Sequence, residues 1–270
     1  MLKILFYVPQ LHVAMKNNFI VVCLALLLPG LTNAQLRKAN IIFIGNSITQ
    51  GAGLPHPLQE APPVRAAEWL KQAMPAVTFD FSNQGVSGST TVDFLPATNR
   101  LFNNVIKAAD VFKQTKDATL VFSMVLGTND SAIEGPNGAP VSPENYRTNV
   151  TTIVDKLLAA YPGCIVILHH PIWYSPNTHN GARYLAEGLA RLQTYYPVLN
   201  NIVAAYHRSH PGQVFTGYTG GFRYFKKHPE LFAQEHGKSG IFQLHPNVEG
   251  ATALGNDWAK AIKDVLSRLK

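Results

Sequence analysis

Residues 41–49, with the sequence IIFIGNSIT, decide the fold of this chain. The four consecutive apolar residues from Ile41 to Ile44 are typical of a strand that is buried on both faces. Gly45 then permits a sharp turn, and Ser47 follows at once in a position that suits the N-cap of a helix. A strand that leads into a helix in this way predicts one unit of a parallel α/β sheet.

Further apolar runs and helical patterns follow in alternation. The runs that predict strands lie at residues 77–81, 120–126, 165–168 and, more weakly, 213–216. The patterns that predict helices lie at residues 62–74, 146–161 and 254–269. This order predicts a three-layer α/β/α sandwich around a central parallel sheet of about five strands. Active sites of such folds lie beyond the carboxyl ends of the strands.

The first 34 residues predict a secretory signal peptide. An apolar run at residues 20–31 follows Lys16, and small residues precede the expected cleavage site after Ala34. The run is shorter than the roughly 20 residues that a membrane-spanning helix needs. Met15 is an alternative start, because Met15 and Lys16 together make a short basic lead. We therefore expect an exported protein, either periplasmic or secreted.

The remaining residues, 35–270, predict a single domain with a sizeable core. The formal net charge of the whole chain is +7, but no dense block of lysine and arginine occurs, which argues against nucleic-acid binding. No amphipathic membrane helix is apparent, so we expect no stable membrane insertion after signal cleavage. Cys164 is the one cysteine that follows the signal, so an internal disulfide is excluded.

Four chemically useful residues stand at predicted strand ends or in a late loop. They are Ser47, Gly85, Asn129 and His245. Each has an ordinary structural interpretation as a helix cap, a turn glycine, an Asx turn or a loop histidine. Together they supply a nucleophile, a base and donors for a negative oxygen.

The same residues carry a resemblance to the SGNH (GDSL-type) hydrolases. Residues 45–48 (GNSI), 83–90 (NQGVSGST) and 127–130 (GTND), with His245-Pro246, resemble the four sequence blocks of that family in their order. The resemblance implies a flavodoxin-like sandwich and ester hydrolysis without a metal or a cofactor. It further implies Ser47 as nucleophile and His245 as general base. The oxyanion donors would be the Ser47 and Gly85 N–H groups and the Asn129 side chain.

The chain departs from the family pattern at two positions. Asn46 stands where the family usually has aspartate, and an amide can still form hydrogen bonds that hold the turn. Phe242 stands three residues before His245, where the family places the acid of its triad. Either a backbone carbonyl orients the imidazole, or an acid from elsewhere does so. The acids near in sequence are Glu235, Glu249 and Asp257.

Three other interpretations have less support. An inactive, carbohydrate-binding relative would explain the missing acid. The nucleophile elbow of an α/β-hydrolase is nearly matched at residues 85–89, but Ser89 replaces the final glycine. The histidine pairs, 169–170 and 207 with 210, lack a zinc spacing with a carboxylate partner.

The expected substrate is a small-molecule or glycan ester. Trp173 and Tyr174, in the loop after the fourth predicted strand, can stack on a sugar ring, although core packing is the alternative for Trp173. Aromatic residues at 218–225 form a second candidate wall of the cleft. Because no long apolar flap is present, we expect short acyl groups, with acetyl from a carbohydrate first. A lysophospholipase or arylesterase is the alternative.

Overall fold

The computed structural model describes residues 36–269, and a five-stranded parallel sheet runs through them. The strands of this sheet are β1 (Lys38–Gly45), β2 (Thr78–Gly85), β3 (Ala118–Val125), β4 (Ile165–Leu168) and β5 (Val214–Thr216). They lie in the order β2-β1-β3-β4-β5, and every neighbouring pair is parallel. The predicted sheet is thereby confirmed, with the strand order of a flavodoxin-like fold.

Strand β1 lies inside the sheet, between β2 and β3, and is buried along almost its whole length. Ile42 and Ile44 pack into the core on one face, whereas Ile41 and Phe43 pack on the other. The continuous apolar run therefore follows from burial on both faces. Each such side chain contributes about 1.5–3 kcal/mol when it is withdrawn from water.

Helices cover both faces of the sheet. They are α1 (Ser47–Gln50), α2 (Pro57–Glu60), α3 (Pro62–Ala73), α4 (Phe102–Lys113), α5 (Pro143–Ala160), α6 (Leu185–Ser209), α7 (Gly221–Lys227) and α8 (Val248–Leu266). Helices α4, α5 and α6 pack on the face of Ile42, and α3 and α8 pack on the face of Ile41. The three-layer sandwich is confirmed.

Helices α2, α4 and α7 were not predicted from the sequence, and two further elements were also missed. Helix α6 contains Pro197 in its interior, although its buried residues Leu192, Tyr195, Leu199 and Ile202 follow helical spacing. The second element is a small antiparallel hairpin of β6 (Glu235–Gly237) and β7 (Gly240–Phe242). Strands of three residues leave too short an apolar pattern to recognise in a sequence.

The predicted signal peptide, its cleavage site and the alternative start at Met15 lie outside the described residues, and these assignments stay predictions. Within residues 36–269, no helix combines the length and apolar character needed to cross a membrane. Cys164 is a free, buried thiol beside the start of β4.

Candidate active site

The turn after β1 fixes the position of Ser47. The Asn46 side chain accepts a hydrogen bond from the Ile48 N–H at 3.0 Å and so caps α1. Gly45 leaves no room for a Cβ, because Thr49 packs against the place where it would stand. Asn46 thus caps the helix as a carboxylate would, without the charge, and Ser47 begins the helix at the edge of the sheet.

His245 reaches Ser47 from the far end of the chain. It lies in the loop between β7 and α8, and its Nε2 is 2.9 Å from the Ser47 Oγ. The side chain of His245 is 15% exposed, so the imidazole is partly shielded from water. The predicted meeting of a hydroxyl and an imidazole is present, across 198 residues of sequence.

Glu235 holds the other side of the imidazole. One carboxylate oxygen lies 2.9 Å from the His245 Nδ1, and the other accepts the His245 backbone N–H at 3.0 Å. A carboxylate at Nδ1 requires a proton on that nitrogen, which leaves the lone pair of Nε2 directed at the serine hydroxyl. Ser47, His245 and Glu235 therefore form a chain that can move a proton from the hydroxyl to the imidazole.

The hairpin explains where the acid comes from. Glu235 on β6 is the cross-strand partner of Phe242 on β7, the residue that replaces the expected acid. Directly opposed residues of an antiparallel pair lie side by side, so the carboxylate reaches His245 from the adjacent strand. Glu249 is exposed in the first turn of α8, and Asp257 pairs with Lys260. Of the two sequence alternatives, the displaced acid is the one found.

Asn129 is held in a fixed orientation beside the serine. Its Nδ2 donates to the Ser89 carbonyl at 2.8 Å, and its Oδ1 accepts from the Tyr184 hydroxyl at 2.6 Å. An amide nitrogen carries two hydrogens, so one remains for a ligand. Burial raises the pKa of Tyr184 well above its usual value, which keeps the hydroxyl protonated as a donor. Sequence reasoning missed Tyr184, because no local pattern links it to Asn129.

Gly85 does not occupy its predicted place at the site. Its N–H donates to the Asn83 Oδ1 at 2.9 Å, and a Cβ at this position would clash with the backbone of Thr49 and Gln50. The glycine is needed there for close packing of β2 on α1. The assignment of Gly85 as an oxyanion donor is therefore wrong.

Gly88, three residues further on, can supply the backbone oxyanion donor instead. It lines the cavity beside Ser47 and has a positive φ of 77°. A Cβ on Gly88 would meet open space, and within residues 36–269 no acceptor takes its N–H. A turn that leaves an N–H unpaired beside a nucleophile can donate to a developing negative oxygen.

Asp130 follows Asn129 and is wholly buried. Its Oδ1 accepts hydrogen bonds from the Thr91 N–H and the Thr91 hydroxyl. Its Oδ2 has no hydrogen-bond partner in the described residues. Burial raises the pKa of Asp130 to about 6 in spite of the two donors. Asp130 thus joins the loop after β2 to the loop after β3, beneath the site.

The aromatic residues that were predicted to line the substrate cleft lie elsewhere in the fold. Trp173 is 7% exposed and packs edge-on against Phe232, and Tyr174 is buried with its hydroxyl bonded to Ser131. Neither residue lines the cavity, and neither do the aromatic residues at 218–225. The loop after β4 instead docks the hairpin, because the Ser175 N–H donates to the Gln243 carbonyl at 2.9 Å.

A cavity of about 510 Å³ opens in front of Ser47. It is bounded by the serine and histidine, by the loops after β1 and β2, and by a polar rim. The side chains of that rim are Ser87, Ser89, Asp93, Arg100, Asn137 and Asn180. The volume is in the range of pockets that bind small molecules or one part of a larger chain.

Known proteins share this architecture. The model of the GDSL-like lipase/acylhydrolase family matches residues 43–253. No curated protein sequence matches the chain. Est24, a carbohydrate acetylesterase from Sinorhizobium meliloti, is similar in structure, with 16% identity and a TM-score of 0.58 over 84% of this chain and 99% of that one.

Two further solved structures are also similar. The lipase/acylhydrolase from Enterococcus faecalis has 20% identity and a TM-score of 0.54, over 86% of this chain and 97% of that one. The aryl esterase from M. smegmatis has 17% identity and a TM-score of 0.54, over 84% and 99%. At these identities the likeness shows the fold and leaves the substrate open.

Proposed function

The chain belongs to the GDSL-like lipase/acylhydrolase family and is a carboxylic ester hydrolase, and within that class we propose that it removes acetyl groups from a carbohydrate with Ser47 as nucleophile. One observation carries the proposal. The Ser47 hydroxyl, the His245 imidazole and the Glu235 carboxylate lie in line, with both contacts at 2.9 Å. This is the geometry that activates a serine for attack on an ester carbonyl.

The first half of the reaction forms an acetyl-enzyme. The Ser47 oxygen attacks the ester carbonyl carbon while the His245 Nε2 takes the hydroxyl proton. The tetrahedral intermediate then collapses, and the bond to the sugar oxygen breaks as that oxygen receives the proton from Nε2. In the second half, water repeats the attack on acetyl-Ser47, and acetic acid leaves with the serine restored.

Three N–H donors support the negative charge of the intermediate. They are the backbone N–H groups of Ser47 and Gly88 and the free N–H of the Asn129 amide. One such donor contributes roughly 3–4 kcal/mol of transition-state stabilisation. Glu235 keeps the His245 ring in the reactive tautomer and stabilises its positive charge after proton transfer.

The lining of the cavity favours a short acyl group on a polar alcohol. Its apolar side chains, among them Val86, Leu101 and Leu244, are interspersed with the polar groups of the rim. Hydroxyl and amide groups of the rim suit the hydroxyl groups of a sugar. The similar fold of Est24, described as a carbohydrate acetylesterase, is compatible with this choice.

The test is a substrate panel for the wild type and the Ser47→Ala variant. Acetate release is measured from acetylated xylan, pectin and sialoglycans, and hydrolysis from 4-nitrophenyl esters of increasing acyl length. We expect acetate from at least one glycan and a preference for the shortest acyl chain. Cleavage of aryl or long-chain esters with no acetate from any glycan would favour an arylesterase or lysophospholipase. Equal rates for the two proteins would remove Ser47 as nucleophile.

We also propose that the enzyme works outside the cytoplasm. The apolar run at residues 20–31 and the small residues before the expected cleavage after Ala34 support this. Expression of the full chain and N-terminal sequencing of the exported protein test it. A mature protein that retains residues 20–31 would contradict the proposal.

A further inference from the structure

Arg100 is a permanent cation in the wall of the cavity that contains Ser47. It lies in the loop before α4, and its side chain is 57% exposed. Among the cavity-lining residues of the described chain, no other lysine or arginine occurs. Arg100 and its partner Asp93 are therefore the charged side chains of a rim that is otherwise made of hydroxyl and amide groups.

Asp93 holds Arg100 in place. The Nη1 atom of Arg100 lies 2.6 Å from the Asp93 Oδ1, and the Asp93 side chain is only 4% exposed. That carboxylate also accepts the Thr90 N–H at 3.0 Å and the Asn137 Nδ2 at 2.9 Å. Asp93 is thus fixed from several sides, and it holds the Nη1 atom of the guanidinium in turn.

Most of the donors of Arg100 stay free. A guanidinium carries five N–H groups, and the one polar contact of Arg100 among the described residues is that of Nη1 with Asp93. An arginine fixed in this way presents a planar pair of donors that matches a carboxylate in bidentate geometry. A single sugar hydroxyl matches that pair of donors less well, because it offers one oxygen and no charge.

We propose that Arg100 binds the carboxylate of an acidic, acetylated sugar and so directs the enzyme to acetyl groups on uronic or other carboxylate-bearing residues. This inference rests on the proposed function and names the substrate class of the same site. The ester enters at Ser47, and the acid group of that sugar unit or its neighbour lies against Arg100 in the same cavity.

A matched pair of substrates tests the inference. One is an acetylated methyl galacturonide with a free carboxylate, and the other is its methyl ester, which lacks the charge. For the wild type we expect kcat/KM on the acid to exceed that on the ester by about tenfold, mainly through KM. In Arg100→Gln the ratio falls to about one. In Arg100→Lys it takes an intermediate value, because the positive charge remains but the planar pair of N–H donors is lost.

Arg208→Gln is the matched control. Arg208 is exposed on α6 and lies outside the cavity. The variant removes the same positive charge from the protein, and we expect it to keep the wild-type ratio of kcat/KM on the acid to kcat/KM on the ester. A wild-type ratio near one, or a ratio that persists in Arg100→Gln, would overturn the role of Arg100. In either case, Ser47-dependent release of acetate from the methyl ester would leave the proposed function standing. The absence of acetate from both substrates would count against both proposals. The Arg100→Lys variant, which keeps a cation beside the buried Asp93, guards against loss of folding.

Discussion

The two sides of the catalytic centre rest on different kinds of structure. Ser47 follows β1, a strand of eight residues that is hydrogen-bonded on both sides by strands of equal length. Glu235 belongs to a hairpin whose strands have three residues each, and His245 belongs to the loop after that hairpin. That hairpin is docked through the loop after β4, where the Gln243 N–H donates to the Ser175 Oγ at 2.8 Å.

The difference is between a long strand that is paired on both sides and a short hairpin that a few contacts hold in place. The position of Ser47 follows from a turn capped by the adjacent Asn46, at the end of a buried strand that is paired along its whole length on both sides. The positions of His245 and Glu235 depend on contacts between segments about 60–70 residues apart. The position of Ser47 should therefore tolerate substitutions elsewhere in the chain, whereas the positions of His245 and Glu235 should shift when residues of the hairpin are substituted.

The largest effect is expected at Ser47. Ser47→Ala removes the nucleophile, and we expect kcat on 4-nitrophenyl acetate to fall about 10⁵- to 10⁶-fold. The melting temperature should change little, because β1 and the Asn46 cap remain. Steady-state kinetics with a thermal melt of the same sample measure both. Residual activity above one hundredth of the wild type would contradict the assignment.

The next largest effect is expected on the hairpin side. Glu235→Gln replaces the acceptor at Nδ1 with a group that can donate, which favours the wrong tautomer of His245. We expect kcat to fall about 10³- to 10⁴-fold. Glu249→Gln is the control, since Glu249 is also close to His245 in sequence but exposed at the start of α8. Similar kinetics for these two variants would rule out Glu235 as the acid of the triad.

Asp130, which is buried beneath the site, is tested through the stability of the folded protein. Burial raises its pKa to about 6, so between about pH 4 and pH 6 the folded protein keeps a proton that the unfolded chain has released. The free energy of unfolding therefore falls as pH rises through this window, by about 1.4 kcal/mol for each pH unit or about 3 kcal/mol in all. Chemical unfolding of wild type and Asp130→Asn from pH 4 to 7.5 measures the difference. Parallel stability curves would show that Asp130 titrates at its ordinary pKa.

The smallest effect is expected at Tyr184. Tyr184→Phe removes the donor that orients the Asn129 amide, and we expect kcat to fall about tenfold with little change in KM. Tyr174→Phe is the matched control, because its hydroxyl bonds to Ser131 instead. A loss in KM alone, or equal losses in both variants, would assign Tyr184 a purely structural role.

Much of the fold was predictable because each large strand is buried on both faces. The apolar runs located all five strands of the sheet, and the order of the elements indicated its parallel topology. Ser47, Asn129 and His245 were also identified and do line one cavity. The aromatic loop residues were misassigned, because a sequence does not distinguish an exposed tryptophan from one that packs in the core, as Trp173 does.

The sequence by itself determined the layered sheet, the capped turn that carries Ser47 and the family to which the chain belongs, since these follow from the pattern of apolar runs and from the order of short motifs along the chain. Only the tertiary structure decided that Glu235 serves His245, that Gly88 rather than Gly85 faces the cavity, and that Tyr184 orients Asn129. Each of these depends on which atom lies within about 3 Å of another across the fold, and hydrogen bonds weaken steeply beyond that range. Spacing along the chain carries no such distance once the chain has turned back on itself.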